Sequence, residues 1–283
     1  MDYRKDFLVK PGKNLKLSDF DPAYHGSHES KEQASNDLGH YREKISTLQR
    51  TLYGDGSKAL LIVLQGIDGA GKDGTCWHVI SAMDPQGVKV TGFKQPTPAE
   101  RDRDFLWRVH SHAPQKGEIA IFNRSHYEDV LIARVHSLVP AHVWEARYEF
   151  INNWERLLYA DNHTTTIKFF LYISKEEQLE RFKQRLDDPA RQWKISTNDY
   201  IERRFWDDYI HAFEAALNNC STTYAPWYVI PANHKWFRNL SVSQIIADTL
   251  EELDPHWPKP TVDIDEVRRL YHSAAVRKTG TKT

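Results

Sequence analysis

A glycine-rich segment at residues 66–75, GIDGAGKDGT, has the residue types of a phosphate-binding loop. Four residues separate its first glycine from Gly71 and Lys72, which fits the opening of the pattern G-x-x-x-x-G-K-[ST]. Glycines let a backbone approach an anion closely, and a lysine adds positive charge to a phosphoryl group in transfer. The next residue departs from the pattern, because Asp73 stands where a Ser or Thr hydroxyl normally holds Mg2+. The segment therefore predicts phosphate binding with an altered metal site.

The sequence on both sides of this segment favours the same interpretation. An apolar run of strand length, ALLIVLQ, precedes the glycines, and a helical pattern at residues 73–83 follows them. A strand, a glycine turn and a helix in this order distinguish a phosphate loop from the alternative, a glycine-rich turn with a surface lysine. The loop residues predicted to bind phosphate are Gly69, Ala70, Gly71, Lys72, Asp73, Gly74 and Thr75.

A carboxylate within the loop could take over the metal. Mg2+ prefers oxygen ligands and keeps several waters, so Asp68 could replace the missing hydroxyl directly or through water. Asp73 or Thr75 could assist. For Asp73 the alternative is an acidic residue in the first turn of a helix, where the helix dipole favours negative charge.

Charged residues also follow a second strand, EIAIF at residues 118–122. The carboxyl ends of strands in an open parallel sheet border the ligand crevice. Arg124 could bind phosphate through two bonds, and Glu128 could hold Mg2+ or activate an acceptor oxygen. The alternative is a structural Arg–Glu pair. Together with FKQPT, which follows the strand at residues 88–93, the predicted nucleotide-binding residues are Lys94, Gln95, Pro96, Asn123, Arg124, Glu128 and Asp129.

A basic helix–loop–helix segment at residues 181–209 suits a lid. Arg181 and Arg185 are four residues apart and share a helix face, and Lys194 follows in a loop. Basic groups on a mobile element can close over phosphates and exclude water. The alternative is a solvated, salt-bridged helical hairpin, which the charge pattern alone would favour.

Strands alternate with helices along the chain, which predicts a doubly wound α/β fold with a parallel sheet. The predicted strands are residues 59–65, 88–93, 118–122, 166–173 and 227–230. The predicted helices are residues 36–53, 73–83, 100–112, 138–158, 174–186, which a capping box opens, 199–217 and 242–253. We expect an N-terminal extended arm at residues 1–35 with little core of its own, a main domain at 36–255 and a C-terminal extension at 256–283.

Composition narrows the class of protein. The 283 residues carry a net charge of −1, so the overall charge gives no reason to expect nucleic acid as a partner. The two cysteines form neither a metal-spaced cluster nor a disulfide framework. The sequence has no apolar run long enough for a signal peptide or a membrane span. We expect a soluble cytoplasmic protein without a membrane partner.

Several segments together carry a resemblance. The chain resembles the polyphosphate kinase 2 family over residues 36–253, in GIDGAGKDGT, FKQPT, DFLWRVH, IFNRSHYEDVL, RLDDPARQWK and WDDY. Members of that family transfer phosphoryl groups between inorganic polyphosphate and nucleotides. The resemblance implies a P-loop kinase core similar to thymidylate kinase, with a helical lid. The phosphate loop alone is weakly specific, whereas these segments in this order are highly specific.

The resemblance also implies roles for single residues. The family's loop aspartate, which is linked to Mg2+, corresponds to Asp68, and its loop lysine to Lys72. Its strand-end arginine corresponds to Arg124 and its lid arginine to Arg185. Family members carry Lys-Asp-Gly or Lys-Gly-Gly in place of Lys-[ST], so the departure at Asp73 is a family trait. With Glu128, the expected catalytic residues are Asp68, Lys72, Arg124, Glu128 and Arg185.

The string Asn123 to Glu128, NRSHYE, resembles the class III branch, which accepts both AMP and ADP. The family ties the Glu128 position to metal and to the use of monophosphates. The implied substrates are polyphosphate, AMP, ADP and ATP, and the implied cofactor is Mg2+, with Mn2+ as a substitute. The implied assembly is a homodimer or a homotetramer.

The expected reaction is reversible in-line transfer of the terminal phosphoryl of polyphosphate to an ionised acceptor phosphate, without a general base. One alternative is an ATP-dependent nucleoside monophosphate kinase of the thymidylate type, which would have Ser or Thr in place of Asp73. The other alternative is a non-catalytic regulator that binds nucleotide or polyphosphate.

Overall fold

A computed structural model describes residues 2–28 and 30–279 of the chain, which form an α/β fold around a five-stranded sheet. All strand pairs are parallel, and the strand order is β2-β3-β1-β4-β5. The strands are β1 (Ala59–Gln65), β2 (Val88–Gly92), β3 (Ile119–Asn123), β4 (Thr164–Tyr172) and β5 (Trp227–Pro231). The predicted fold class is therefore confirmed, and so is each predicted strand to within two residues.

Helices cover both faces of this sheet. They are α1 (Tyr3–Asp6), α2 (Lys31–Asp55), α3 (Lys72–Ile80), α4 (Pro98–Arg101), α5 (Trp107–His110), α6 (Glu128–Val135), α7 (Ala141–Asn162), α8 (Lys175–Asp187), α9 (Thr197–Glu202), α10 (Trp206–Cys220), α11 (Lys235–Glu252) and α12 (Ile264–Thr279). Helices α2, α3 and α11 pack on one face, and α6, α7 and α10 pack on the other. In the described part of the chain, no helix has the length and apolar composition needed to cross a membrane.

The central strand β1 is the element around which the sheet forms. All seven of its residues are buried, and they alternate between the two helix layers: Leu60 and Ile62 face one, Leu61 and Val63 the other. A parallel strand covered on both faces needs such a continuous apolar run. Its register pairs Leu64 with Asn123, so the loops that follow β1 and β3 leave the sheet side by side.

Two predicted helices are wrong because both are interrupted. In place of one helix at residues 100–112, the chain forms the one-turn helices α4 and α5. Asp104 makes a turn between them, because its carbonyl accepts a bond from the amide of Trp107 and its carboxylate accepts one from the amide of Leu106. Residues 199–217 were expected to be one helix, but they divide into α9, a 3-10 turn at Arg203–Phe205 and α10. Arg203 bonds back to α8, which fixes the bend.

Three helices lie where no helix was predicted: α1 in the N-terminal arm, α6 and α12. Helix α6 begins at Glu128, because the hydroxyl of Ser125 accepts a bond from the amide of Tyr127 and its carbonyl accepts one from Glu128. Helix α12 lies in the C-terminal extension. The helix predicted at residues 138–158 instead runs from Ala141 to Asn162, with Pro140 immediately before its first turn.

The N-terminal arm packs into the domain. Leu8 forms an antiparallel bridge with Tyr228, and backbone bonds flank that bridge on both sides, so the arm covers the β5 edge of the sheet. Tyr3 and Phe7 are buried and pack against Phe237 of α11. The arm has little core of its own, as expected, but it contributes directly to the core of the domain.

We expect Phe7→Ala to lower the free energy of unfolding by about 3–5 kcal/mol, the usual cost of emptying a buried phenylalanine site. The measurement is urea unfolding followed by circular dichroism. Phe150→Ala is the matched control, because Phe150 is 51% exposed, and its effect should stay within about 0.5 kcal/mol. Equal effects of the two substitutions would show that the arm does not belong to the folded core.

Candidate active site

The loop between β1 and α3 has the conformation of an anion-binding turn. Gly69 and Gly71 have φ angles of 87° and 99°, a region that favours glycine. Helix α3 then begins at Lys72, so its unpaired amides and the positive end of its dipole face the space beyond the loop. Together these groups form a cradle for phosphate oxygens. The predicted strand, turn and helix are all present.

Lys72 is held inside this cradle. Its ammonium donates to the carbonyl of Gly66 and lies 3.8 Å from a carboxylate oxygen of Asp68. Burial, followed by the nearby charge of Arg124, lowers the pKa of Lys72 to about 8. A buried ammonium whose charge is disfavoured gains most from a bound anion, so the site is suited to phosphate.

Arg124 joins the two loops that leave the sheet side by side. Its guanidinium lies 2.5 Å from Asp68 in the loop after β1 and 3.3 Å from Glu128 at the start of α6. Its backbone is left-handed, with a φ of 62°, a strained conformation for a residue other than glycine. The structural Arg–Glu pair considered as an alternative is thus present, and it belongs to a larger charged cluster at the strand ends.

The charges of this cluster favour each other's ionised forms. Burial disfavours the carboxylate of Asp68, but Lys72 and Arg124 outweigh burial and hold its pKa below the ordinary value. Burial also disfavours the charge of Arg124, but Glu128 and Asp68 outweigh it and raise that pKa. Asp68 and Arg124 therefore stay ionised near neutral pH, as charge neutralisation during phosphoryl transfer requires.

A cavity of about 650 Å3 opens beside this cluster. The predicted nucleotide-binding residues that line it are Lys94, Gln95, Pro96, Arg124, Glu128 and Asp129, and Asp68 joins them. Burial raises the pKa of Asp129 although Arg108 and Arg147 oppose this. The lining also includes apolar side chains such as Leu131 and Phe213, and a mixture of apolar and charged groups is suited to an organic ligand with a charged end.

Several cavity residues were not named from the sequence. Arg108 donates to the carbonyl of Lys94 and lies 3.6 Å from Asp129, and Gln178 donates to the carbonyl of Asp68. Glu202 accepts bonds from His136 and Tyr209 at the lid side of the cavity. Arg108 and Tyr209 lie within the segments DFLWRVH and WDDY, which carry the family resemblance, so the sequence could have indicated these two residues.

Asn123 and Asp73 lie together on the loop side rather than in the cavity. The Asn123 amide donates to Asp73 at 2.9 Å, and Lys194 of the lid segment lies 3.7 Å from the same carboxylate. Asn123 does not line the nucleotide cavity where it was expected. Asp73 is in the first turn of α3, where the helix dipole favours an acidic residue, and its carboxylate also lies near Lys194. Thr75 bonds the backbone of Gly71, so its hydroxyl faces its own helix instead of a metal.

Arg181 has a different position from the one predicted. It was expected to bind phosphate, but its side chain is buried behind the loop and all five of its N–H donors are used. The acceptors are Glu177 and the carbonyls of Gly69, Ala70, Ala232 and Asn233. The backbone amide of Glu177 donates to the hydroxyl of Ser174, but the carboxylate of Glu177 accepts from Arg181, so only half of the predicted capping box forms.

Arg185 projects from the same helix toward the site. It lies 3.9 Å from Asp199 of α9, and its charge helps to lower the pKa of Asp68. Lys194 of the same helix–loop–helix segment lies near Asp73, so two basic side chains of this segment are close to the residues of the phosphate loop. These contacts are consistent with a lid, which stays a prediction.

A buried ionic network supports the loop after β3 from below. Lys168 and Glu155, both fully buried, are 2.5 Å apart, and both bond the hydroxyl of Tyr127. His126 lies 3.3 Å from the same glutamate, and burial lowers the pKa of its imidazole. Because His126 and Tyr127 lie between Arg124 and Glu128 in sequence, this network fixes the segment that carries both charged residues.

A model of the family described as polyphosphate kinase 2 matches residues 28–258. The chain is 47% identical over 264 residues to the AMP/ADP-polyphosphate phosphotransferase of Meiothermus ruber, covering 93% of this chain and 98% of that protein. It is 42% identical over 269 residues to the ADP-polyphosphate phosphotransferase of Rhodopseudomonas palustris, covering 91% and 93%.

The chain belongs to the polyphosphate kinase 2 family. The fold agrees with this, because the structure superposes on the crystal structure of polyphosphate kinase 2 from Arthrobacter aurescens with a TM-score of 0.92. That comparison has 41% sequence identity and covers 96% of this chain and 97% of the other. The resemblance inferred from the sequence motifs is confirmed.

In this polyphosphate kinase 2, we expect Lys72→Ala to lower turnover by about a hundredfold or more, because a preorganised charge is removed from the phosphoryl group in transfer. Steady-state rates with polyphosphate and ADP are the measurement. Lys183→Ala is the control, since that lysine is exposed on α8 and paired with the exposed Asp187, and it should leave the rate within twofold. Near-full turnover of Lys72→Ala would remove Lys72 from the catalytic residues.

We expect Lys168→Met and Glu155→Gln each to destabilise the fold by about 3–5 kcal/mol, because each leaves a buried partner unpaired. The double variant should cost less than the sum of the two, and urea unfolding of all four proteins gives the coupling energy. The exposed pair Lys183–Asp187 is the control and should show a coupling below about 1 kcal/mol. Additive effects at residues 155 and 168 would argue against the network.

Proposed function

We propose that this protein transfers the terminal phosphoryl group of inorganic polyphosphate to AMP and ADP. The observation that carries the proposal is the position of Arg124, which is ion-paired both with Asp68 in the phosphate loop and with Glu128 in the wall of the cavity. One guanidinium thus lies between an anion cradle and a cavity suited to a nucleotide. A donor bound to the loop and an acceptor in the cavity would meet at this side chain.

The transfer needs little covalent chemistry from the protein. A new P–O bond forms between an oxygen of the acceptor's terminal phosphate and the terminal phosphorus of the donor. The bridging P–O bond of the donor breaks, and the polyphosphate leaves one phosphate shorter. The acceptor oxygen is already ionised, so no proton has to be removed. Lys72, Arg124 and Arg185 neutralise the charge that develops, and the exchange of one phosphoanhydride for another makes the reaction reversible.

We also propose Mg2+ as the cofactor, held by Asp68 and Glu128. Both carboxylates contact Arg124, so they lie at one site, and Mg2+ in phosphoryl-transfer enzymes is bound through one or two carboxylates plus phosphates and waters. Residues 2–28 and 30–279 contain no group of three or more His, Cys, Asp and Glu side chains that could hold a metal. The remaining ligands would therefore come from substrate and water, and Mn2+ would substitute for Mg2+.

The use of both nucleotides has support from the relatives. The name of the Meiothermus ruber relative specifies AMP and ADP, and that of the Rhodopseudomonas palustris relative specifies ADP. The former is the more similar of the two, at 47% against 42% identity. We further propose a cytoplasmic location, where these nucleotides are made and used, and a homodimer or homotetramer as the working assembly.

The two alternative functions fit less well. An ATP-dependent monophosphate kinase would need a metal-binding hydroxyl after Lys72, where this chain has Asp73, and the Thr75 hydroxyl is bonded to backbone. A non-catalytic regulator would not require the charged residues Asp68, Arg124 and Glu128 to be arranged around one point between cradle and cavity.

The deciding assay supplies AMP and Mg2+ with either polyphosphate or ATP as the donor and follows the nucleotides by chromatography. We expect ADP and then ATP to form with polyphosphate, and no reaction when EDTA removes the metal. ADP without ATP would restrict the enzyme to AMP, and conversion of ADP alone would restrict it to diphosphates. Turnover only with ATP as donor would overturn the proposal, and binding without turnover would favour the regulator.

A further inference from the structure

Arg238 is a buried arginine behind the phosphate loop. It is on α11, and its side chain is only 3% exposed. Its guanidinium donates two bonds to Asn239, at 3.1 and 2.8 Å, and one to the carbonyl of Ala70, at 3.3 Å. These three bonds all go to neutral acceptors, so they leave the positive charge of Arg238 unbalanced.

This buried charge has no negative partner nearby. Among the residues that the structure describes, no carboxylate forms an ion pair with Arg238 or acts on its pKa. Burial, followed by the positive charge of Arg181, lowers the pKa of Arg238 to about 9. Buried charges are ordinarily paired or bound to an ion, because an isolated one is costly. The position of the charge therefore calls for an anion close to the loop.

The contacts of Arg238 show on which side that anion would be. The carbonyl of Ala70 accepts bonds from both Arg238 and Arg181, and the carbonyl of Gly69 accepts one from Arg181. These carbonyls point toward the arginines, whereas the unpaired amides of the first turn of α3 lie at the other end of the loop, where α3 begins. The two arginines thus define the back of the cradle, and the anion site is its front.

The guanidinium also touches the loop closely. A Cβ atom at Gly71 would overlap Nη1 of Arg238, and one at Gly74 would lie 3.4 Å from Nη2. Only a loop with glycine at the first of these positions lets the charge come so near. The charge, the helix N-terminus and Lys72 then all favour an anion at the same place.

We infer that Arg238 is a positioning residue for the polyphosphate donor, whose phosphates on the front of the loop balance the charge that the fold holds behind it. This inference rests on the proposed function, which places the donor at the loop. Arg238 would then strengthen the binding of the donor electrostatically, without contacting it. A purely structural arginine would hold the loop equally well for every ligand of the enzyme.

The test separates donor binding from acceptor binding and from folding. We would compare the wild-type protein with Arg238→Gln and Arg238→Lys, measuring KM for polyphosphate, KM for ADP and kcat. Affinity for tripolyphosphate, measured by calorimetry without nucleotide, reports binding in the absence of turnover. Lys44→Gln is the matched control, because Lys44 also reaches α11 but is paired there with Asp248 and Glu251.

We expect Arg238→Gln to weaken tripolyphosphate binding and to raise KM for polyphosphate by about tenfold, the effect of one unit charge acting across a partly buried site. KM for ADP should stay within twofold. Arg238→Lys, which keeps the charge, should recover most of the affinity, and Lys44→Gln should change none of these values. If Arg238→Gln does not fold, KM for polyphosphate is measured at increasing salt concentration in Arg238→Lys and in the wild-type protein. It should rise with salt equally in both.

Unchanged tripolyphosphate affinity in Arg238→Gln would overturn the inference. An equal rise in KM for ADP and for polyphosphate would also overturn it, and so would a salt dependence of the polyphosphate KM in Arg238→Lys that differs from that of the wild-type protein. These results leave the proposed function intact if wild-type turnover is normal. Tripolyphosphate binding that depends on Arg238 in a protein without turnover would instead support the inference and contradict the proposed function.

Discussion

The ion pairs of Arg124 are the interactions on which the arrangement of the site depends. They join Asp68, at the end of the central strand, to Glu128, at the start of a helix that follows the neighbouring strand. The parallel register of these two strands places the loops side by side, and the charges then hold them together. Because the phosphate loop and the cavity meet at this guanidinium, a charged ligand bound at one would act electrostatically on the other.

The protein supports this cluster with buried polar groups rather than with apolar packing alone. Lys168 and Glu155 hold the segment between Arg124 and Glu128, and Arg181 and Arg238 hold the carbonyls of the phosphate loop. Buried ionic networks are costly unless every member is satisfied, so they define one geometry sharply. A transfer reaction that relies on positioning gains from such rigidity, because small displacements of charged groups cost rate.

Much of the fold could be predicted because it follows from local patterns. The apolar run of β1 and the glycines after it identified the strand, the loop and the helix. Predictions failed where a single side chain redirected the backbone, as Asp104 does between α4 and α5 and as Ser125 does before α6. Such bonds are not visible in hydrophobic periodicity, which is the main signal for secondary structure in a sequence.

The sequence by itself determined the chemistry available to this protein: a phosphate loop with Lys72, a carboxylate at Asp68 and the family to which the motifs belong. Only the tertiary structure decided which charged residues are near the candidate site and which are buried behind the phosphate loop. Arg181 and Arg185 share one helix face in the sequence pattern, yet Arg181 is buried under the loop while Arg185 projects toward the site. The difference arises because burial depends on the elements packed against a helix, and helical periodicity carries no information about them.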